Sequence, residues 1–255
     1  MPSSDLVAIV GPALAAGLML ALVHAPLGME VLRRGIIFVD LAVAQIAGLG
    51  LVGAAIWLHE PSPWAMQAVA LACALAAGLI FQRIERALPR VQEALIGVSF
   101  VLAASLAILL LANHVRGDEA MRHLLSGEML FVTWGDVARH APIYALITAA
   151  WFAAPALRRG IGFYVLFALA VTSSVQLAGV YVVFASLILP ALAAVEARRP
   201  YRTAWLCGIC AVPSGIAAAV LADAPAGPML VVSYTLVAGC FALFFALWQA
   251  CRREG

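Results

Sequence analysis

Lysine is absent from this 255-residue chain, and charge of either sign is scarce: charged residues make up 11% of the sequence against 65% hydrophobic. A soluble domain carries about 25% charged residues. This shortage, with a mean hydropathy of +1.05, excludes an ordinary soluble globule and a disordered tail. The five cysteines lie in or at the end of apolar segments, which excludes a disulfide scaffold. Cys207 and Cys210 form a CxxC, but within an apolar run, where small cysteines read as packing residues. Enzyme motifs are also missing: the chain has no HExxH, no GxSxG and no Walker A sequence. Pro213-Ser214-Gly215 resembles a nucleophile turn only on its surface, because no histidine within a span serves as its base. No basic, aromatic-interleaved surface supports nucleic-acid binding. MPSSD has no basic n-region, so the first apolar run reads as a retained helix and not a cleaved signal.

What is present is a series of long apolar runs. A bilayer-crossing helix needs about 20 apolar residues. Hydropathy places spans near 6–26, 36–58, 63–82, 94–113, 141–157, 161–177, 178–195, 203–222 and 229–250. The expected fold is therefore all-α: one polytopic membrane domain, 1–255, of about nine transmembrane helices. The stretch 161–195 divides into two short spans around Ser173, Ser174, Gln176 and Gly179. Arginine supports this count. Arg33 and Arg34, Arg83, Arg86 and Arg90, Arg158 and Arg159, Arg198, Arg199 and Arg202, and Arg252 and Arg253 fall on one side, while Arg116, Arg122 and Arg139 share a loop on the other. The positive-inside rule makes the arginine-rich side cytoplasmic. The N-terminus is then expected outside and the C-terminus inside. The one long outer loop, Asn113–His140, carries an apolar patch at Met129–Trp134, as a short amphipathic helix lying on the surface would.

Asp40 lies within the second apolar run, in IIFVDLAVAQIAGLG. A carboxylate at the centre of a span costs about 2.5–3.5 kcal/mol and ordinarily faces the protein interior or a water-filled cavity. Asp40 either pairs with Arg33 or Arg34 near the cytoplasmic end or lines a substrate path. Gln45 lies about 140° around a regular helix from it, and shares its face only if the helix breaks. His114, His123 and His140 share the long loop with Asp118, Glu119, Glu128 and Asp136. Imidazole and carboxylate suit zinc or manganese, but the spacing matches no compact metal motif and fits a solvated surface. His24 reads as a packed or interfacial histidine. Ser173 and Ser174 read as helix-packing hydroxyls. Pro190 and Pro213 fall inside spans, where proline kinks a helix.

Five segments, in order, carry a resemblance: MEVLRRGIIFVDLAVAQIAGLG around Asp40, EALIGVSFVLAASLAILLLA, HLLSGEMLFVTWGDV, VQLAGVYVVFASLILPALAA and ADAPAGPMLV. Together they resemble the transmembrane subunit of metal-type (zinc/manganese/iron) ABC importers. The resemblance implies a multi-pass permease of the cytoplasmic (inner) membrane. Its partners would be a second permease protomer, cytoplasmic ATP-binding subunits, an extracytoplasmic metal-binding protein and membrane lipid. It implies a transported divalent ion, zinc or manganese, and no permanently bound cofactor. A chelated metal or another small solute is the alternative cargo. By the same resemblance Asp40, with Gln45 beside it, lies on the metal path. Arg158, Arg159 and Gly160 lie where the ATPase docks. His114, Asp118, Glu119 and His123 face the binding protein, with His59–Pro63. Two departures stand out. The family motif places a histidine four residues after its aspartate, where this chain has Ala44, and the acidic coupling stretch is shortened to Ala156–Gly160. A self-sufficient carrier and an intramembrane hydrolase are the rival classes. The carrier would need more midplane carboxylates than Asp40 alone.

Overall fold

The structure is a computed structural model that describes residues 3–58, 62–111 and 129–254. Eight helices are described: α1 (Ser3–Arg34), α2 (Val39–Trp57), α3 (Pro63–Ala87), α4 (Gln92–Leu111), α5 (Trp134–Ala153), α6 (Gly160–Ala193), α7 (Pro200–Ala222) and α8 (Ala226–Glu254). No strand occurs among the described residues. Seven of the helices are long and apolar enough to cross a membrane. α5 falls outside that set; its first two turns hold Asp136, Arg139 and His140.

The sequence divides 161–195 into two spans; the structure shows a single helix, α6, interrupted at Gly179 (φ 78°, ψ 163°). This is backbone that only glycine adopts without strain. The break is sharp. Ser174 and Ser186 both reach ring nitrogens of His24, at 2.9 Å and 2.7 Å, whereas a straight helix would set these positions about 18 Å apart. Accordingly Val195, just past the end of α6, lines the same cavity as Arg158 and Arg159, just before its start. The chain therefore doubles back at Gly179. Ser173 and Ser174, expected at the hinge, keep helical geometry and act as packing groups.

α6 is the centre of the molecule. It packs against α1, α3 and α8, and to a lesser extent α2 and α7, while α4 rests mainly on α2. Small residues make this possible. Gly28 of α1 lies so close to α6 that a Cβ there would collide with the Leu187 carbonyl oxygen. The opposite extreme is α4, most of whose apolar surface is open. Lipid or another chain can cover such a face at no cost in water structure.

α5 begins two turns earlier than hydropathy indicates. Its N-terminus is a capping box: the Thr133 hydroxyl accepts from the Asp136 amide (3.3 Å), and the Asp136 carboxylate accepts from the Thr133 amide (3.0 Å). Thr133-x-x-Asp136 is therefore a start signal that overrides the apolar count. The expected surface helix at Met129–Trp134 is a single 3-10 turn, Met129–Phe131, with Met129 buried and Phe131 and Trp134 exposed. Pro190 and Pro213 both lie inside helices.

Candidate translocation site

Asp40 stands in the first turn of α2, is 1% exposed, and neither of its carboxylate oxygens has a hydrogen-bond partner. The nearest expected partners are engaged elsewhere. Arg33 binds Glu30 through two nitrogens (2.8 and 2.6 Å). Arg34 binds Glu30 (2.7 Å), Glu85 (2.9 Å) and the Arg158 carbonyl (2.9 Å), and its guanidinium lies 4.2 Å from the Phe163 ring centre. Of the two readings open in the sequence, the ion pair with Arg33 or Arg34 is therefore not formed.

The face of α2 that carries Asp40 continues one turn on as Ala44, then Ala47, Gly48 and Leu51. These four line a cavity of about 230 Å³ that Thr172, Val175 and Gln176 of α6 close from the other side. The Thr172 hydroxyl is buried and has no partner. Gln176 also lines a second cavity, of about 520 Å³, with Trp64, Gln67, Arg139 and His140. The two cavities thus share Gln176 and run from the start of α5 to Ala44, one turn of α2 beyond Asp40, which itself lines neither. Gln45 is buried but is turned by about 100° from Ala44, and it lines neither cavity. The amide that faces both cavities is Gln176, whose sequence signal was the polar stretch Ser173–Gln176.

A second polar cluster adjoins this route and meets it at His140. His24 is fully buried, with Ser186 on Nδ1 and Ser174 on Nε2. The Ser174 hydroxyl also pairs with Tyr144 (2.8 Å), and Ser173 with Nδ1 of His140 (2.7 Å). α1, α5 and both limbs of α6 are joined here, so His24 is a packed histidine, as its sequence position indicates.

At the other end, Arg158, Arg159 and Gly160 form the turn between α5 and α6. The turn borders a cavity of about 590 Å³ with Glu30, Arg33, Val195 and Tyr201. Arg158 folds back, its Nε donating to the Trp151 carbonyl (2.7 Å), while Arg159 is exposed. Gly160 takes a positive φ of 52°. Arg34 holds this turn to α1 and, through Glu85, to α3. The arginines of 33–34 and 158–159 therefore gather on one face.

His114, Asp118, Glu119 and His123, like His59, lie outside the described residues. Among the described residues, no group of three or more histidine, cysteine or acidic side chains is placed to hold a metal. His140 is occupied by Ser173, and Asp136 by its cap. The Thr133 hydroxyl and amide hold the Asp136 carboxyl below its ordinary range.

The fold is thus a bundle of apolar helices with a buried, unpartnered acid one turn from a cavity. The chain belongs to the ABC 3 transport family, which it matches over residues 7–157 and 154–246. It is thus a membrane transport subunit and not an enzyme, and membership implies separate ATP-binding subunits and a substrate-binding protein. This removes the self-sufficient carrier and the intramembrane hydrolase. No curated protein matches the chain. Two solved structures share the fold. PsaBC from Streptococcus pneumoniae in complex with Fab aligns at 18% identity and a TM-score of 0.69, covering 93% of this chain and 90% of that one. An inward-facing structure described as a metal-chelate type ABC transporter aligns at 17% identity and a TM-score of 0.63, covering 91% and 84%.

Proposed function

We propose that this chain is the permease of an ATP-driven importer for a divalent transition metal ion, zinc or manganese. It works as a dimer in the cytoplasmic membrane. The observation that carries this reading is Asp40, a buried carboxylate with no partner, one helical turn from a cavity on the same face of α2. An intramembrane acid left without a protein partner marks an ion path. Weak binding by few ligands is what conduction requires. One structural neighbour is described as a metal-chelate type ABC transporter, which agrees with a metal-containing cargo, free or chelated.

In this reading the polypeptide crosses the bilayer nine times, counting the two limbs of α6 separately. The gathered arginines face the cytoplasm, so the N-terminus is outside and the C-terminus inside. A binding protein delivers cargo to the outer surface, at the loop holding His114, Asp118, Glu119 and His123. The ion passes Gln176 and reaches Asp40, with Gln45 in the wall behind. On the inner side, Arg158, Arg159 and Gly160 meet the ATP-binding subunit. Arg34 links that turn to α1 and α3, so a push on it reaches the helices around Asp40.

The test is the metal content of cells lacking this chain, paired with uptake by the assembled transporter in vesicles. The expected results are depletion of zinc or manganese in those cells and uptake only with ATP. Unchanged content together with ATP-independent uptake contradicts the proposal. A second reading, a chelated metal as cargo, is favoured by one observation: Arg139 lines the roomy outer cavity, where its cation suits the anionic groups of a chelator better than a bare ion. Competition between free and chelated metal in the same vesicles separates the two.

A further inference from the structure

The start of α2 holds more unsatisfied negative charge than Asp40 alone. α4 runs beside α2, and its second residue, Glu93, reaches across to it. One Glu93 oxygen accepts the backbone N–H of Phe38 (3.1 Å), the residue that caps α2. The other oxygen of the same carboxylate, Oε2, is buried and has no partner. Asp40 follows Phe38 by two residues, and both its oxygens are likewise buried and unbonded. Both carboxylates therefore stand at the same helix start, Glu93 on the capping residue and Asp40 in the first turn.

Among the described residues no cation is bonded to these free oxygens. Arg33 and Arg34 are spent on Glu30 and Glu85, and the neighbouring Gln92 donates to the Tyr164 hydroxyl (3.2 Å). The free amides in the first turn of α2 favour negative charge there, but they offer no full countercharge. Carboxylates gathered in this way are relieved by a proton or by a bound cation.

We infer that Asp40 and Glu93 together form a divalent-cation site of oxygen donors, in which α4 supplies the second ligand that α2 does not. On α2 the position one turn after Asp40, on the same face, is Ala44, which offers only a methyl group to the cavity. Glu93 stands on the adjoining helix with a free oxygen instead. Carboxylate and water ligands suit manganese, whereas imidazole favours zinc. The site therefore favours the harder of the two ions. This inference rests on the metal-permease reading above and narrows it.

The experiment uses the transporter purified with its ATP-binding subunits. Bound Mn²⁺ is read by electron paramagnetic resonance, and manganese and zinc uptake by the same complex in vesicles. Glu93→Gln keeps an oxygen for the Phe38 amide, so the cap and the assembly survive, which co-purification of the subunits checks. Glu93→Gln and Asp40→Asn are each expected to weaken Mn²⁺ binding by about tenfold or more. Ala44→His, which adds a nitrogen donor on the Asp40 face, shifts the zinc-to-manganese uptake ratio toward zinc by about tenfold. Wild-type Mn²⁺ binding in Glu93→Gln, with loss in Asp40→Asn, overturns the role of Glu93 and leaves the permease reading standing. An unchanged uptake ratio in Ala44→His overturns the donor argument. A wild-type complex that neither binds nor moves either ion overturns the metal reading itself, and this site with it.

Discussion

Two buried polar regions lie within the same bundle and obey opposite rules. Around His24 every polar atom of the ring is matched: Ser186 on one nitrogen, Ser174 on the other, and Tyr144 on Ser174. Around Asp40 nothing is matched, and both oxygens are bare. A satisfied polar cluster in a membrane interior fixes one packing arrangement, because each broken bond strands a partner away from water. An unsatisfied carboxylate does the reverse: it costs the fold free energy and gains it back only from something that arrives. His24 therefore belongs to the architecture, and in the proposed function Asp40 belongs to the cargo.

The sharpest way to break this contrast on the architectural side is at Arg34, the most heavily bonded cation of the structure's arginine face. Arg34→Ala strands Glu30 and Glu85 and frees the Arg158 carbonyl. Breaking such a largely buried pair costs about 3 kcal/mol, expected as a clear fall in the thermal midpoint of the purified complex. His24→Leu comes next. It leaves Ser174 and Ser186 without their ring partner, at about 2 kcal/mol, and loosens the fold-back of α6, visible as faster amide exchange around Gly179. Gly179→Ala forces a side chain into backbone it does not tolerate, at about 1–2 kcal/mol, read from the same melts. Thr133→Ala removes the α5 cap, for about 1 kcal/mol. The Asp136 half of that cap depends on pH in a fixed direction. Its carboxyl is held below the ordinary range in the folded protein. Its contribution is therefore complete at neutral pH and is lost as the pH falls through and below that range. The gap between the Thr133→Ala and wild-type melts should thus be widest at pH 7 and narrow in acid, where only the bond from the Asp136 amide to the Thr133 hydroxyl still separates them. Asp40→Asn gives the smallest stability effect and the one of opposite sign: it removes an uncompensated buried charge, so its melting temperature should stay level or rise.

How much of this was readable beforehand varies from residue to residue, for physical reasons. The all-helical, multi-pass architecture follows from apolar run length alone. The doubling-back at Gly179 was half legible. Length and the Ser-Ser-Val-Gln-x-x-Gly stretch indicated a division near it, but only the pairing of Ser174 and Ser186 on one histidine fixes the fold-back at the glycine. That contact joins positions far apart in sequence and leaves no periodic trace. Asp40 stood out because an acid in an apolar run is costly wherever it lies. Gln45 looked equally suited, being close in sequence, but helical rotation turns it away and gives its place to Gln176 on α6. Glu93 was hidden for another reason: at the edge of an apolar run an acid reads as an interfacial residue. Only the packing of α4 on α2 reveals which helix end it faces. The start of α5 was misjudged because Asp136, Arg139 and His140 lower the local hydropathy, whereas the Thr133–Asp136 box, a stronger local signal, begins the helix.

In the proposed function Asp40 serves the cargo and not the fold, in a conduit driven by ATP hydrolysed on another chain. Its most direct test is uptake of radiolabelled manganese and zinc into vesicles holding the complete transporter, with and without ATP, for wild type and Asp40→Ala. ATP-dependent accumulation is expected for wild type and none for Asp40→Ala, although the variant assembles with its partners and hydrolyses ATP. Accumulation by Asp40→Ala at the wild-type rate would contradict it.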